Sequence, residues 1–337
     1  MKRVLVSSRS FGAIARTGRT LLEEAGFDVH SVDDQDRPLT SEKMTRIGGR
    51  LTPQALICGA EPVTRDFLRA CPGLALVMKH GVGIDNIDLA AANECKVAVA
   101  NAPGTNTDSV ADLAIAMMLA LLRRLYDAAS STRAGGWGRY VGHELGALTV
   151  GVVGTGKIGL GVIRRLQGFG SKVLAYDVVH NAAMASQLGY TYVSLDQLLE
   201  SSDIVTLHVP LLDETRRMIG LRELGLMKAS AHLINLARGE LVDEAALCDV
   251  LAEGRLAGAA VDVYAVEPPQ SSPLLKQANV LATPHIAAYT YEAMECMDRE
   301  CAQTIIETFQ GIRRPNILNP EVLAAGTWSL TKEKKTS

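Results

Sequence analysis

Aromatic residues are scarce in this chain, and so is any excess of charge of one sign. Phe, Trp and Tyr make up 4% of its 337 residues, whereas hydrophobic residues as a whole make up 47%. An apolar mass of Ala, Val, Leu and Ile favours helices packed on parallel strands over an aromatic-rich β-sandwich, and it excludes wholesale disorder. The 34 Lys and Arg residues and 37 Asp and Glu residues give a net charge of −3. This balance excludes a generally basic nucleic-acid coat, so we expect no nucleic-acid partner.

The chain also lacks the cysteine spacing of metal sites and disulfide frameworks. Its six cysteines are scattered and contain no C-x-x-C pair. We therefore expect free thiols, a reducing compartment and no metal site. No stretch reaches the ~18 consecutive apolar residues of a membrane span, and the first residues lack the apolar run of a signal peptide. These absences predict a cytoplasmic protein without a membrane partner.

What the sequence does have is a regular alternation of short apolar runs and helix-length segments. The alternation predicts βαβ units and parallel sheets, and at roughly 150 residues per domain the length predicts about two domains. A long, strongly apolar helix is expected over residues 106–125. The glycine-rich residues 134–146 are expected to form an exposed loop or arm, and the polar tail 331–337 is expected to be disordered.

A glycine motif directly follows the predicted buried strand Thr149–Val153. The motif, G-x-G-x-x-G, consists of Gly154, Thr155, Gly156, Lys157, Ile158 and Gly159. In such a loop the first glycine permits a tight turn, the second lets the backbone approach a pyrophosphate, and the third lets helix and strand pack closely. The N-terminus of the following helix then offers free N–H groups to the anion. Because a strand precedes the motif and a helical pattern follows it, the motif predicts a dinucleotide site.

An acidic residue stands where this kind of site requires one. Asp177 ends the next predicted strand, about twenty residues after the glycines. Its carboxylate can accept hydrogen bonds from ribose hydroxyls and would repel the 2′-phosphate of NADP. Val178 and Val179 follow it instead of Arg or Lys, although His180 is able to soften the preference. The sequence therefore predicts NAD as the cofactor.

Three later strands end at polar residues that suit hydride-transfer chemistry. These residues are Arg238 after 233–236, Glu267 after 259–263 and His285 after 280–282. The carboxyl ends of parallel strands meet at one edge of a sheet, so the three residues can converge on one crevice. Reduction of a ketone needs a proton donor such as His285 with Glu267 as its partner, and a cation such as Arg238 to grip a carboxylate. Taken singly, they are equally a core histidine, a surface ion pair and a loop acid; together, behind a dinucleotide motif, they predict a dehydrogenase.

Seven stretches of the sequence resemble the D-2-hydroxyacid dehydrogenase family, which includes phosphoglycerate dehydrogenase and glyoxylate/hydroxypyruvate reductases. They are HGVGIDNID (80–88), NAPGTNTDSVADLA (101–114), GVVGTGKIG (151–159), LHVPLLDETRRMIG (207–220), INLARGELVDEAAL (234–247), GAAVDVYAVEPP (258–269) and TPHIAAYTYEA (283–293). They follow the family's order, and the resemblance covers nearly everything from residue 74 to 310. It implies an NAD-dependent oxidoreductase that transfers a hydride between NAD(H) and C2 of a small 2-hydroxy or 2-keto acid.

The resemblance also implies a role for individual residues. Arg238 would orient the substrate, Glu267 would be the partner of His285, and His285 would be the acid in reduction and the base in oxidation. The residues implied to bind the substrate carboxylate through backbone N–H groups are Gly81, Val82 and Gly83. The residues implied to contact the cofactor, besides the glycine loop, are Asp262 at the nicotinamide carboxamide and His208, Pro210 and Ala237 along the cleft.

The fold implied by the resemblance has two doubly wound α/β domains. A Rossmann NAD-binding domain of residues 103–290 would be inserted in a flavodoxin-like substrate domain of residues 1–102 and 291–330. The helix at 106–125 and the helical stretch after Thr290 would be the two crossings between them. A homodimer is the usual state of the family, which makes the arm at 134–146 a candidate contact.

Two cations near the ends of the first predicted strands bear on the substrate. Arg9 and Lys79 would suit a second anionic group such as a phosphate, a sulfonate or another carboxylate if they face the cleft; otherwise they are solvated rim residues. His80 is equally a substrate contact or a packing residue. Two other functions stay open: a formate- or phosphite-oxidising dehydrogenase of the same fold, and an NAD-binding corepressor-like protein.

Overall fold

A computed structural model describes residues 1–324, so the tail at 331–337 lies outside the described residues. The chain divides into two compact units, each with its own parallel sheet. Unit 1 comprises Met1–Asn106 and the described residues from Tyr289 onward, and unit 2 comprises Thr107–Ala288. Unit 2 thus interrupts unit 1 along the sequence.

The strands and helices alternate along the chain as the apolar pattern predicts. The strands are β1 (Lys2–Val6), β2 (Phe27–Ser31), β3 (Ala55–Cys58), β4 (Leu76–Lys79), β5 (Ala98–Ala100), β6 (Thr149–Val153), β7 (Lys172–Tyr176), β8 (Thr191–Tyr192), β9 (Ile204–Leu207), β10 (His232–Asn235), β11 (Gly258–Val261) and β12 (Val280–Ala282). The helices are α1 (Thr17–Glu24), α2 (Ser41–Leu51), α3 (Arg65–Ala70), α4 (Leu89–Glu94), α5 (Thr107–Leu122), α6 (Leu125–Arg133), α7 (Lys157–Phe169), α8 (Ala182–Leu188), α9 (Leu195–Ser201), α10 (Leu221–Leu226), α11 (Glu244–Ala252), α12 (Tyr291–Phe309) and α13 (Glu321–Ala324).

In the described part of unit 1, a five-stranded parallel sheet has the order β2-β1-β3-β4-β5. Its central strands are mostly apolar because helices cover both faces of the sheet. Every residue of β3 and β4 is buried, including Lys79 at the end of β4. Met44 of α2 and Phe67 of α3 pack with Leu56 of β3 in one core cluster on this sheet.

In unit 2, the described strands form a seven-stranded parallel sheet in the order β12-β11-β10-β9-β6-β7-β8. One core cluster contains Met118 of α5 and Ile163 of α7, and a second contains Leu198 of α9 and Leu247 of α11. The chain is therefore two doubly wound α/β domains, and the predicted fold class is confirmed.

Each sheet contains one point at which the strand order reverses. This switch point lies between β1 and β3 in unit 1 and between β6 and β9 in unit 2. Ligands of open α/β sheets bind beyond the carboxyl ends of the strands at such points. The fold therefore provides one candidate binding edge in each unit.

The long apolar helix is shorter than the sequence predicts. α5 ends at Leu122, and Arg124, which has a φ of 47°, separates it from α6. The glycine-rich arm that follows forms neither helix nor strand over the described residues 134–144, and Trp137 in it is 77% exposed. Over residues 1–324, no helix is both long enough and apolar enough to cross a membrane.

Candidate active site

The glycine loop after β6 is shaped by close backbone contacts. Gly154 has a φ of 96°, and a Cβ added there would lie 2.8 Å from the backbone carbonyl carbon of His208. A Cβ on Gly159 would lie 1.9 Å from the carbonyl oxygen of Gly154, whereas a Cβ on Gly156 would meet no atom within 4 Å. The loop is thus closely packed at its first and third glycines and open at the second, in front of the N-terminus of α7. This space suits the pyrophosphate of a dinucleotide.

Asp177 stands beside this loop with its carboxylate held by several donors. Its Oδ2 accepts hydrogen bonds from the backbone N–H of Thr155 at 2.6 Å and from the Thr155 hydroxyl at 3.0 Å, and its Oδ1 accepts from the Val179 N–H at 3.1 Å. Partial burial favours the protonated acid, but these donors outweigh it and hold the pKa of Asp177 below its usual value. The charged carboxylate, with exposed Val178 next to it, fits the ribose of NAD and disfavours a 2′-phosphate.

Tyr192 supports the loop after β7, and the sequence does not predict this role. The ring of Tyr192 stacks on that of His180, with centroids 4.1 Å apart. The Tyr192 hydroxyl lies 2.8 Å from the hydroxyl of Thr155 and accepts a hydrogen bond from the N–H of Asn181. Tyr192 therefore ties the loop after β7 to the glycine loop. His180 was identified from its position after Asp177, but only the structure shows what its ring contacts.

His208 follows β9 on the other side of the switch point. Its N–H donates to the carbonyl of Val153 at 2.7 Å, and its Nε2 lies 2.9 Å from the hydroxyl of Thr206. Burial lowers the pKa of His208 to about 4, so its ring is neutral at neutral pH. Pro210, also predicted to line the cleft, is exposed two residues further on.

The segment after β10 orients Arg238 by a local network. The Asn235 side chain accepts from the N–H of Ala237 at 3.1 Å and donates to the carbonyl of Arg238 at 2.8 Å. Arg238 Nη1 donates to the carbonyl of Ala237 at 2.7 Å. A Cβ on Gly239 would lie 2.0 Å from the backbone of Tyr264, so the loops after β10 and β11 are in direct contact.

Glu267 and His285 form a close polar pair at this edge. Glu267 Oε2 and His285 Nδ1 are 2.7 Å apart, and Glu267 Oε1 accepts from the N–H of Tyr264 at 3.1 Å. Partial burial raises the pKa of Glu267, but the hydrogen bond and charge of His285, the Tyr264 N–H and the charge of Arg238 together hold it below its usual value. The structure thus places all three predicted residues at the same edge of the unit 2 sheet.

Asp262 fixes the backbone around His285. It has no exposed surface; its Oδ1 accepts from the Thr283 hydroxyl at 2.6 Å and the Ile286 N–H at 2.8 Å, and its Oδ2 accepts from the Ala287 N–H at 2.8 Å. His285 itself has a φ of 53°, which is uncommon for a residue with a side chain and is typical of functional sites. This positioning contact is not predictable from the sequence, and the predicted contact of Asp262 with the carboxamide stays a prediction.

In unit 1, the backbone of residues 81–83 follows β4. Gly81 has a φ of 147°, and its carbonyl accepts from the N–H of Ala102 at 2.8 Å. The side chain of Asn101 donates to the carbonyl of Val82 at 2.7 Å. Because these carbonyls are held by the segment after β5, the loop through Gly83 has a defined course at the carboxyl edge of the sheet.

The two cations of unit 1 differ in their surroundings. Arg9 is exposed in the loop after β1. Lys79 is only 9% exposed, and its Nζ donates to the carbonyl of Gly59 at 2.6 Å and to Oδ1 of Asn86 at 2.7 Å. The alternative that Lys79 is a solvated rim residue is therefore wrong, because its ammonium is buried between two loops.

A charged cluster that the sequence did not predict lies next to Lys79. Glu61 Oε2 accepts from the N–H of Gly59 at 2.7 Å, and Glu61 Oε1 accepts from Arg37 at 3.3 Å. Arg37, whose side chain is 8% exposed, also donates to the carbonyl of Ser7 at 2.8 Å. The loops after β1 and β3 are thus joined by charged groups at the switch point of unit 1.

Among residues 1–324, no group of three or more His, Cys, Asp and Glu side chains is arranged to hold a metal ion. The six cysteines have free thiols. Burial raises the pKa of the Cys58 and Cys71 thiols to about 12, so both thiols stay protonated.

Comparison with known proteins places this geometry in a family. The model of the "D-isomer specific 2-hydroxyacid dehydrogenase, NAD binding domain" matches residues 115–287. The chain is 40% identical over 270 residues to a glyoxylate reductase of Korarchaeum cryptofilum, covering 78% of this chain and 81% of that protein. It is also 40% identical over 260 residues to a D-3-phosphoglycerate dehydrogenase of Methanocaldococcus jannaschii, covering 76% of this chain and 50% of that protein.

Solved structures agree with these sequence relatives. The TT0316 protein from Thermus thermophilus has a TM-score of 0.83 and 33% identity, covering 94% of this chain and 99% of that chain. The D-lactate dehydrogenase from Aquifex aeolicus, solved in complex with NAD and lactic acid, has a TM-score of 0.82 and 28% identity over the same shares. The predictions of family, cofactor and enzyme class are confirmed. The chain belongs to the D-isomer specific 2-hydroxyacid dehydrogenase family and is an NAD-dependent oxidoreductase that acts on CH–OH groups.

Proposed function

We propose that this dehydrogenase interconverts a small 2-keto acid and its 2-hydroxy acid, with His285 as the acid and base. The observation that carries the proposal is the 2.7 Å contact between Glu267 Oε2 and His285 Nδ1. A carboxylate in this position stabilises the charged imidazole and fixes which ring nitrogen it engages. Because Nδ1 is engaged by Glu267, Nε2 is the nitrogen that transfers the proton.

In the proposed mechanism His285 transfers the proton, and the other residues bind or orient the cofactor and the substrate. The glycine loop and Asp177 would hold NADH, which would supply the hydride for C2 of the keto acid. His285 gives its Nε2 proton to the carbonyl oxygen during reduction and takes the hydroxyl proton during oxidation. Arg238 orients the carboxylate and carbonyl of the substrate by two-pronged hydrogen bonds, and the N–H groups of Gly81, Val82 and Gly83 bind the carboxylate.

We further propose that the substrate carries a second anionic group. Arg9 follows β1 and Lys79 is the last residue of β4. Both strands belong to one parallel sheet, so both residues lie at its carboxyl edge. Arg9 is exposed there, close to the switch point between β1 and β3. A guanidinium at such an edge suits a phosphate, a sulfonate or a second carboxylate.

A panel of 2-keto acids with NADH, read by NADH absorbance, tests both proposals. Among the acids, those with a second anionic group should have the higher kcat/KM. Arg9→Ala should lower kcat/KM for these dianionic acids by about 10- to 100-fold, the equivalent of one charge-assisted hydrogen bond, and leave monoanionic acids unchanged. Arg16→Ala, at another exposed arginine of the same loop, is the matched control.

Three outcomes would overturn the proposals, once formate and phosphite with NAD are added to the panel. An Arg9→Ala enzyme with an unchanged preference between dianionic and monoanionic acids would remove the second-anion proposal. A wild-type enzyme that reduces no 2-keto acid, but reduces NAD with formate or phosphite, would replace the 2-keto acid proposal with that chemistry. No turnover of any of these compounds would favour the corepressor-like alternative.

The domain roles and the assembly also belong to this proposal. We infer that unit 2 is the NAD-binding domain and unit 1 the substrate domain. We also propose a homodimer in the cytoplasm, joined through the arm at residues 134–146, where Trp137 is 77% and Val141 is 88% exposed. Exposed apolar side chains grouped in this way are typical of protein interfaces.

A further inference from the structure

A buried histidine–aspartate pair in unit 1 has no part in the chemistry proposed above. His80 Nε2 lies 2.8 Å from Asp298 Oδ1, and neither side chain has any exposed surface. The two residues are 218 positions apart in the chain. His80 directly follows β4, and Asp298 lies in α12.

The pair is the centre of a network that joins three elements. His80 Nδ1 lies 2.9 Å from the hydroxyl of Ser10, and Asp298 Oδ2 accepts from the N–H of Gly12 at 3.0 Å. The ring of Phe11 packs edge-on against the His80 ring, with centroids 5.7 Å apart. The loop after β1 is therefore tied both to the end of β4 and to α12.

The residues next to Ser10 and His80 in the sequence indicate what the network does. Ser10 directly follows Arg9, and His80 directly precedes Gly81. Ser10 and His80 thus connect the loop that carries the proposed second-anion contact to the loop proposed to bind the substrate carboxylate. The helix that carries Asp298 is itself closely packed, because a Cβ on Gly18 of α1 would lie only 2.3 Å from the carbonyl oxygen of Asp298.

Stability alone does not account for such a pair. Removing a carboxylate and an imidazole from water is costly, and an apolar pair of similar volume is often as stable or more so. A buried polar pair does fix one arrangement of the groups around it, since any shift leaves a buried donor or acceptor unpaired. A role in positioning is the function that this arrangement supports.

We propose that the His80–Asp298 pair sets the spacing between the two anion-binding loops and thereby the preference for dianionic substrates. The inference rests on the proposed function, because it needs Arg9 and residues 81–83 to bind the two anionic ends of one substrate. His80 and Asp298 are positioning residues: they hold the loops and do not touch the substrate. A displacement of about 1 Å in such a site is enough to change activity by about 100-fold.

Ser10, His80 and Asp298 also have the composition of a hydrolase triad, but not its geometry. In a triad the nucleophile contacts Nε2 and the acid contacts Nδ1. Here Ser10 contacts Nδ1 and Asp298 contacts Nε2, and the imidazole has no exposed surface. The arrangement is therefore suited to holding loops and not to acyl transfer.

The test compares full-length Asp298→Asn and Ser10→Ala enzymes with wild type on a dianionic and a monoanionic 2-keto acid. Both variants should raise KM for the dianionic acid about 10- to 100-fold, with a much smaller change for the monoanionic acid. The kcat values and the Kd for NADH, measured by its fluorescence, should stay within about threefold of wild type, because the pair acts on substrate placement. Adding Arg9→Ala to Asp298→Asn should have little further effect, since both changes remove the same contact.

Glu295→Gln is the matched control, because Glu295 is on the same helix and accepts from the hydroxyl of Thr17 at 3.1 Å without touching His80. It should leave both KM values unchanged. Folded variants that keep the wild-type ratio of KM values would overturn the inference, as would equal increases for both acids together with weaker NADH binding. Labelling of Ser10 by a fluorophosphonate would overturn it as well. If the wild type reduces no 2-keto acid, the proposed function is wrong. If the wild type reduces these acids but the variants keep its ratio of KM values, only the role of the His80–Asp298 pair is wrong.

Discussion

At the scale of single residues, the sequence predicts which side chains lie at the ends of strands, but it does not predict which groups those side chains contact. Arg238, Glu267 and His285 are predicted because each comes after a predicted strand, and the structure brings them to one edge of unit 2. The contacts of Asp262 were not predictable, because two of its three donors are backbone N–H groups. Every residue carries such a donor, so the sequence does not show which one a buried carboxylate will meet.

Glu267→Gln tests the partner of His285. The amide keeps the size of the side chain but removes the negative charge that stabilises the charged imidazole. We expect kcat for keto-acid reduction to fall about 10- to 100-fold. Initial rates measure this fall, and Glu240→Gln, at an exposed ion pair with Arg216, is the control. A kcat within a few-fold of wild type would contradict the proposed pairing.

His208 should make the stability of the protein depend on pH. Its pKa is about 4 in the folded protein and 6.5 as its usual value, so between these values the unfolded chain binds more protons. The stability contributed by the neutral ring is therefore complete above pH 6.5 and is lost as the pH falls towards 4. In His208→Gln this contribution to the fall in the free energy of unfolding, at most about 1.4 kcal/mol per pH unit, should be absent. Urea unfolding at pH 7, 6 and 5 measures it, and parallel slopes for both proteins would refute the assignment.

At the scale of elements, a buried strand is better predicted than the end of a helix. The run Thr149–Val153 is a strand with the predicted bounds. Apolar periodicity carries this information because strands buried on both faces are continuously apolar. The break between α5 and α6 falls at Arg124 in a left-handed conformation, and no glycine or proline marks it. Such a break is set by the packing around the helix and not by the local sequence.

The glycine loop gives an element-scale prediction with a control in the same helix. Gly159→Ala forces a Cβ to within 1.9 Å of the Gly154 carbonyl oxygen, so the turn between β6 and α7 must open. We expect NADH binding to be lost or weakened at least about tenfold, and stability to fall by more than about 1 kcal/mol. Gly168→Ala lies in α7 with no atom within 4 Å of its Cβ, so it should raise stability by up to about 1 kcal/mol.

NADH fluorescence titration and urea unfolding of the two glycine variants check this pair of expectations. Equal NADH affinity in the two variants would mean that the loop does not need its third glycine for cofactor binding.

At the scale of the whole molecule, the alternation of apolar runs predicts the two α/β sheets. It does not predict that unit 2 interrupts unit 1 along the sequence. Composition and periodicity predict two domains without showing that residues from 289 onward return to the first unit. That expectation came from the family resemblance. The contact between His80 and Asp298, 218 positions apart, depends on this return, and no local pattern in the sequence reports it.

The most direct test of the account compares wild type with His285→Ala in keto-acid reduction and in NADH binding. We predict that kcat falls about 10²- to 10⁴-fold, the contribution of a general acid, while the Kd for NADH stays within about twofold. His30→Ala, at a partly exposed histidine of unit 1 that pairs with Asp28, should behave as wild type in both measurements. A His285→Ala enzyme that keeps its turnover within a few-fold of wild type would contradict the account.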